Sequence, residues 1–171
     1  MTDEDNDSLL ALAASVGQAA IARGAMIATA ESCTGGMVSQ RLTSVSGSSD
    51  VFLGGVIAYS DDVKIRELDV PPDLLRSHGA VSAEAAEAMA AGARARLGAD
   101  VSVSVTGIAG PGGGSAEKPV GLVYLHAQTP GRSHAADFVF PGDRESIRRR
   151  ASVTALHLLR RLLQQTPDEA A

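Results

Sequence analysis

The sequence predicts an α/β protein, a single three-layer α/β/α domain with a mixed sheet of about five strands. Segments with apolar residues at helical spacing alternate along the chain with short apolar runs of strand length. The 171 residues show no internal repeat and no linker. With 44% hydrophobic and 20% charged residues, a chain of this length can bury about 70% of its unfolded surface around one core.

The first half of the chain is predicted to contain two strands and four helical segments. Apolar residues from Leu9 to Ala20 recur at helical spacing, and Gly54 and Gly55 interrupt the second strand, which indicates a bulge or a close backbone approach. The predicted order is a helix capped by Ser8 and ending near Gly24, a strand at Met26–Ala30, a helix at 35–42, a strand at 51–59, a helix at 61–68 and a turn of helix at 73–77.

The second half is predicted to contain three strands and two long helices. Val101, Val103 and Val105 alternate with serines, as is typical of a strand. The predicted order is a helix from the Ser82 cap to Gly98, the strand 101–105, a glycine-rich loop at 106–118, strands at 120–128 and 133–140, and a last helix capped by Asp143.

Charge and composition exclude several classes of protein. The net charge is −5, but residues 8–165 carry 15 basic and 14 acidic residues, so the acidity lies in residues 1–7 and 166–171, which we expect to be disordered tails. Few aromatic residues, no Trp and this near-neutral body argue against direct nucleic-acid contact. The apolar stretch 9–30 follows acidic residues and contains polar ones, so we expect no membrane segment and a cytoplasmic protein.

Two loops combine small hydroxyl residues with glycines directly after a predicted strand. They are Glu31-Ser32-Cys33-Thr34-Gly35-Gly36 and Thr106–Gly114. Ligands of open α/β sheets bind beyond the carboxyl ends of strands, and such loops present backbone N–H groups there. The loops match no complete nucleotide motif, because Gly113 stands where a Walker motif needs Lys. Either loop could instead be an ordinary tight turn.

The two lysines are the most informative candidates for chemistry, since the chain has 13 Arg. A desolvated Lys can act as a base, whereas Arg cannot lose its proton in a protein. Lys64 follows Tyr59 by five residues, just past a strand end, although an exposed Lys beside a Tyr packed at the rim fits the same pattern. We interpret the formal S-x-x-K motif at Ser115 as a coincidence, since it lies in the glycine-rich loop.

Other polar residues carry weaker predictions. Cys33 has no His near it in sequence, so a buried inert thiol is favoured. The four histidines lack metal-ligand spacing, and neither a metal nor a cofactor is predicted. Arg144 and Arg148, one helical turn apart, could bind a phosphate.

Taken in order, these motifs identify a resemblance that covers essentially the whole chain. The chain resembles the CinA C-terminal-domain family, the nicotinamide-nucleotide amidohydrolases, in a stand-alone form. The residues that carry the resemblance are Glu31–Gly36, Gly54–Ser60 with Lys64, His78–Ser82, Thr106–Gly113, Lys118–Gly121 and Gly142–Arg144.

The resemblance implies an amidase that converts nicotinamide mononucleotide to nicotinic acid mononucleotide and ammonia, in pyridine nucleotide recycling and without a metal or cofactor. Ser32 would be the nucleophile, with Tyr59 and Lys64 as its partners. The substrate would be held by the two loops and the last helix, through Thr34, Gly35, Gly36, Thr106, Gly107, Gly110, Gly112, Gly113 and Arg144. The family commonly has Asn where this chain has Asp61, and an added negative charge favours the charged form of Lys64.

Two other classes of function remain open at this stage. A nucleotide-binding or regulatory module related to competence and DNA damage would keep both loops without turnover, and would act through a protein partner. An amidase with another substrate would keep the same chemistry. A homo-oligomer is also possible, since small α/β domains often pair.

Overall fold

The structure, a computed structural model, describes residues 3–165 of the chain. Six α-helices and five strands lie within that range. In chain order they are α1 (Asp3–Ile21), β1 (Ile27–Glu31), α2 (Met37–Thr43), β2 (Phe52–Ile57), α3 (Asp61–Leu68), α4 (Pro72–His78), α5 (Ala83–Leu97), β3 (Val101–Gly107), β4 (Leu122–Gln128), β5 (Ser133–Val139) and α6 (Arg144–Gln164).

The five strands form one mixed sheet in the order β2-β1-β3-β4-β5. Strand β1 pairs in parallel with β2 and with β3, whereas β4 and β5 join as antiparallel strands. The carboxyl ends of β1, β2 and β3 therefore lie at one edge of the sheet, where the chain also enters β4 and leaves β5. Every loop predicted to bind substrate lies at this edge.

A hydrophobic core lies on each face of the sheet. On one face α1, α2 and α6 pack on residues such as Val103 and Leu125. On the other face α3, α4 and α5 pack on Ala28 and Ala30 of β1. Helices, sheet and helices make three layers, so the predicted three-layer α/β/α domain with a mixed five-stranded sheet is confirmed.

Local signals in the sequence place most helix ends correctly. The hydroxyls of Ser60 and Ser82 accept the backbone N–H groups that begin α3 and α5, and the carboxylate of Asp143 does the same for α6. Helix α5 ends at Gly98, which adopts φ 65° as a helix C-cap. Side-chain caps need only neighbours in sequence, which is why the caps predicted at Ser82 and Asp143 and the helix end predicted at Gly98 are confirmed.

Three predicted boundaries are corrected by the structure. Helix α1 begins at Asp3 rather than at Ser8, so residues 3–7, expected to belong to a disordered tail, are helical. Helix α2 begins at Met37, because Gly35 and Gly36 both have positive φ. Strand β2 ends at Ile57, the residue that pairs with the last residue of β1. The second predicted tail, 166–171, lies outside the described residues.

Strand β2 contains the predicted irregularity. The register against β1 shifts by one residue between Ile27 and Ala28, which leaves Leu53 as the extra residue of a bulge. A Cβ atom on Gly55 would lie 2.1 Å from the Thr29 hydroxyl oxygen. Glycine at this position therefore allows β2 to approach β1 closely, just before the strand delivers Tyr59 and α3 to the edge of the sheet.

Candidate active site

A cavity of about 200 Å³ opens at the carboxyl ends of the three parallel strands. It lies among the ends of β1, β2 and β3, the first turns of α3 and α6, and the segment between α4 and α5. Its lining residues are Ser32, Cys33, Tyr59, Asp61, Lys64, Ala80, Val81, Thr106, Gly107, Ala109 and Arg144. Loops that are far apart in sequence therefore contribute to one cavity.

Lys64 points from α3 into this cavity. Its side chain is buried, with 1% of the residue exposed, and its ammonium nitrogen Nζ lies 3.4 Å from the Ser32 hydroxyl oxygen and 3.3 Å from the Tyr59 carbonyl oxygen. Burial lowers the pKa of Lys64, because the charged ammonium is poorly solvated there. A lysine with a lowered pKa beside a serine hydroxyl is an arrangement that can activate the serine.

Asp61 works against the effect of burial on Lys64. Its carboxylate oxygen Oδ1 lies 3.5 Å from Nζ, one turn earlier on α3, and raises the pKa of Lys64. Burial is the larger influence, so the pKa remains lowered overall. The Asp61 side chain is 59% exposed, and solvent screens its interaction with the ammonium.

Ser32 is held by the strand that precedes it. It directly follows β1, its backbone N–H donates to the Val105 carbonyl of β3 at 2.9 Å, and 8% of the residue is exposed. The neighbouring Cys33 is also buried, and burial raises the pKa of its thiol to about 12. Cys33 is therefore a neutral thiol near pH 7, which agrees with the inert role predicted for it.

The Glu31 carboxylate anchors the loop after Ser32 through hydrogen bonds. The Glu31 carboxylate is 1% exposed and accepts backbone N–H groups of Gly36 at 2.9 Å, Val38 at 3.0 Å and Ser39 at 2.8 Å, together with the Ser39 hydroxyl at 2.7 Å. The carboxylate thus binds the backbone N–H groups at the N-terminus of α2, which the sequence predicted to be available to a ligand. The N–H of Gly35 is also taken, by the Ser32 carbonyl at 3.1 Å.

Arg148 of α6 holds the same loop from the other side. Its guanidinium donates to the carbonyl oxygens of Cys33 at 3.1 Å and Thr34 at 2.7 Å. A Cβ atom on Gly35 would lie 3.2 Å from Arg148 Nη2, so glycine leaves room for the guanidinium. Arg148, considered as a phosphate ligand from sequence, instead fixes the backbone beside Ser32.

Tyr59 and Arg144 meet at the mouth of the cavity. Arg144 donates to the Tyr59 hydroxyl at 3.1 Å and to the Gly110 carbonyl at 2.7 Å, and Tyr59 is 61% exposed. The tyrosine hydroxyl therefore points to the guanidinium, and Tyr59 contacts Lys64 through its carbonyl oxygen instead. Within residues 3–165 the Tyr59 hydroxyl has no hydrogen bond to Lys64 or to Ser32.

The glycine-rich loop contributes its first residues to the cavity and leaves the rest exposed. Thr106 is buried and donates its hydroxyl to the Ala80 carbonyl at 2.7 Å. A Cβ atom on Gly107 would lie 2.6 Å from the Leu122 carbonyl oxygen, so this close approach requires glycine. Gly112 and Gly113 are exposed and do not line the cavity.

Comparison with known proteins identifies the family. The family model of the CinA C-terminal domain matches residues 9–163. The chain belongs to the CinA C-terminal domain family. A CinA-like protein of Desulfotalea psychrophila is 54% identical over 150 residues, which are 88% of this chain and 36% of that protein. A CinA-like protein of Mycolicibacterium paratuberculosis is 54% identical over 145 residues, 82% of this chain and 33% of that protein.

Solved structures share the fold of this CinA domain. The competence/damage inducible protein CihA from Agrobacterium tumefaciens superposes with a TM-score of 0.88 at 42% identity, covering 92% of this chain and 96% of that one. A CinA superfamily protein from Escherichia coli superposes with a TM-score of 0.87 at 32% identity, covering 96% and 94%. The chain spans about a third of the length of the curated relatives that it matches.

Six of the residues predicted for the site of this CinA domain lie together in the structure. Ser32, Tyr59, Lys64, Thr106, Gly107 and Arg144 meet at the cavity, whereas Thr34, Gly35, Gly36, Gly110, Gly112 and Gly113 do not line it. The anchoring roles of Glu31 and Arg148 were missed. A carboxylate just before a small-residue loop and a helix was the available signal for Glu31, whereas the partners of Arg148 lie more than a hundred residues away in sequence.

The second lysine of the CinA domain shapes the cavity wall. Lys118 Nζ donates to the carbonyl oxygens of His78 at 2.8 Å and Val81 at 2.7 Å. The Ser115 hydroxyl instead pairs with the Glu117 carboxylate at 3.0 Å. Ser115 contacts Lys118 only through the Lys118 backbone, whose N–H donates to the Ser115 hydroxyl at 3.1 Å. The Lys118 ammonium instead secures the segment that carries Ala80 and Val81.

A larger cavity, of about 770 Å³, lies between α1 and α6, away from the ends of β1, β2 and β3. Its floor includes Leu12 and Phe140, and Arg149, Arg150 and Arg160 are among its lining residues. It holds no hydroxyl next to a buried base, so it offers no amide-cleaving arrangement. Over residues 3–165 no three side chains of His, Cys, Asp or Glu group as metal ligands, and no helix is long and apolar enough to cross a membrane.

Proposed function

We propose that this CinA domain hydrolyses the carboxamide of nicotinamide mononucleotide, giving nicotinic acid mononucleotide and ammonia in pyridine nucleotide recycling. The observation that carries the proposal is the buried Lys64 ammonium, 3.4 Å from the Ser32 hydroxyl in a cavity at the strand ends. The family resemblance supplies the substrate, and the cavity supplies a serine, a base and a cation for a phosphate.

The reaction proceeds by acyl transfer. Neutral Lys64 takes the proton of the Ser32 hydroxyl as its oxygen attacks the carboxamide carbon. The protonated Lys64 then gives that proton to the departing nitrogen, so that ammonia leaves and an ester to Ser32 remains. Water attacks the ester with Lys64 again as the base, which releases the carboxylate product and restores the hydroxyl.

The negative charge on the carbonyl oxygen needs a donor beside Ser32. The N–H groups of Gly35 and Gly36 are already engaged. Cys33 lines the cavity beside Ser32, and its backbone N–H donates to no backbone carbonyl within residues 3–165. We assign the oxyanion to this part of the loop, where one donor contributes roughly 3–4 kcal/mol to transition-state stabilisation.

Arg144 and Tyr59 suit the nucleotide end of the substrate. The guanidinium lies at the cavity mouth, tied to the Tyr59 hydroxyl and the Gly110 carbonyl, and still has donors to offer a phosphate. The exposed Tyr59 ring is an apolar surface for the pyridine ring. We therefore assign Tyr59 to binding rather than to proton transfer.

The test is turnover by the purified protein. Incubation with nicotinamide mononucleotide, with ammonia and the acid product both measured, should show stoichiometric release, and free nicotinamide serves as a comparison amide. Ser32→Ala should lower kcat/KM by at least about three orders of magnitude. Ser115→Ala, which removes a serine outside the cavity, is the matched control and should stay near the wild-type rate.

Each other result has a distinct meaning. Binding of the nucleotide without turnover supports the regulatory or binding module instead of the enzyme. If other amides are turned over in preference to the nucleotide, the proposed amide hydrolysis stands and the proposed substrate is wrong. Near-wild-type activity of Ser32→Ala removes Ser32 from the mechanism, and full activity of Lys64→Arg, which cannot serve as a base, removes Lys64.

A further inference from the structure

Asp61 contributes a negative charge to the cavity. Its carboxylate lies in the first turn of α3 and lines the cavity together with Ser32, Lys64 and Arg144. Only its oxygen Oδ1 contacts the Lys64 ammonium, at 3.5 Å, and the side chain is 59% exposed. A carboxylate has room for about four hydrogen-bonding partners, so this group keeps capacity for a ligand.

The contacts around Lys64 fix how far Asp61 is from the reacting atoms. Lys64 Nζ lies 3.4 Å from the Ser32 hydroxyl oxygen and 3.5 Å from Asp61 Oδ1, so the two oxygens are within about 7 Å of each other. A ring whose carboxamide carbon is attacked by Ser32 therefore comes within the range of the Asp61 charge. This distance is shorter than the screening length of about 8 Å at physiological salt.

We propose that Asp61 makes the site selective for amides on a positively charged ring, that is, N-alkylated pyridinium carboxamides, over amides of the same shape on a neutral ring. The inference rests on the proposed function and adds the charge of the ring as a determinant of specificity. The Asp61 carboxylate attracts the ring cation, while Arg144 at the mouth attracts the phosphate. The two charges would orient a ligand that carries both signs.

Asp61 also contacts Lys64, so its replacement changes the base as well as the binding of the ring. That second effect is common to every amide that Ser32 attacks. Only the ratio between a charged and a neutral substrate isolates the interaction with the ring. The matched ligands are nicotinamide mononucleotide and benzamide riboside 5′-monophosphate, in which a carbon atom replaces the ring nitrogen and the ring has no charge.

The experiment measures both ligands on the wild type, Asp61→Asn and Asp62→Asn. Asp62 is the neighbouring carboxylate of the same helix turn, is exposed and does not line the cavity, which makes it the matched control. The dissociation constant of each ligand is obtained by calorimetry and kcat/KM by product release. Asp61→Asn should reduce the preference for the charged ring by about five- to tenfold, whereas Asp62→Asn should leave it unchanged.

The results separate this inference from the proposed function. Turnover of the nucleotide with a preference that Asp61→Asn leaves unchanged overturns the inference and keeps the function. A preference in binding that Asp61→Asn abolishes, without turnover in the wild type, keeps the inference and overturns the function. A wild type that binds the two ligands equally, or binds neither, overturns the inference. An equal loss of preference in Asp62→Asn also overturns the inference, since the effect then does not depend on the position of the carboxylate in the cavity.

Discussion

Replacement of Glu31 by glutamine should destabilise the domain far more than an isosteric change usually does. The buried carboxylate accepts three backbone N–H groups and the Ser39 hydroxyl. Glutamine offers one acceptor oxygen and one amide nitrogen. The least costly orientation places the nitrogen toward Ser39, whose hydroxyl can turn to accept a hydrogen bond, so that only the Ser39 N–H loses its partner.

The expected cost follows from these contacts. One buried backbone donor left without a partner costs about 1–3 kcal/mol, and the remaining hydrogen bonds lose the strengthening that a charged acceptor gives. Together these terms lower the free energy of unfolding by about 3 kcal/mol, a large fraction of the roughly 5–15 kcal/mol typical of a domain.

Urea unfolding followed by circular dichroism measures this change. The control is Glu87→Gln, which makes the same chemical change at an exposed position of α5 and should alter the free energy of unfolding by less than about 0.5 kcal/mol. Since Glu31 anchors the loop after Ser32, the glutamine variant should also lose activity under conditions in which it is fully folded. A stability equal to that of the control variant would refute the anchoring role of Glu31.

Three further predictions concern other parts of the molecule. The rate should rise with pH as Lys64 loses its proton, and this rise should lie below the pH range in which an exposed lysine titrates. Asp61→Asn should move the rise to lower pH, since the Asp61 carboxylate raises the pKa of Lys64. A move to higher pH contradicts this reasoning. Gly92→Ala places a Cβ atom 2.0 Å from a backbone oxygen of α3, so it should lower the midpoint of urea unfolding. In Gly17→Ala the atom nearest to the new Cβ lies 4.0 Å away, and the higher helix propensity of alanine should raise that midpoint. A thiol reagent at pH 8 should label Cys33 quickly only in urea, and rapid labelling of the folded protein contradicts the raised pKa.

The elements of the fold could largely be predicted because their signals are local. The caps at Ser60, Ser82 and Asp143 contact residues three positions away, and the alternation of Val101 to Val105 follows from the period of a strand. The start of α1 could not be predicted from the Ser8 cap, because a capping residue type also occurs within helices. The order of the strands depends on pairings such as Ile27 with Val101, which no local pattern specifies.

The candidate site was only partly predictable for the same reason. The rarity of lysine directed attention to Lys64, and the position of Ser32 after a strand placed it at the edge of the sheet. The contact between the two, at 3.4 Å, joins residues 32 positions apart. The partner of the Tyr59 hydroxyl could not be assigned from sequence, because Arg144 lies 85 residues later.

The sequence by itself determined that this protein is a three-layer α/β domain with two small-residue loops at strand ends, because the residues that specify helices, strands and turns act on their immediate neighbours. The tertiary structure alone decided which hydrogen-bonding groups of these loops are already occupied. Glu31 occupies the N-terminus of α2, Arg148 holds the carbonyl oxygens beside Ser32, and burial lowers the pKa of Lys64. Solvent exclusion and hydrogen bonding between distant segments arise only once the layers pack, and these two effects give the site its chemical character.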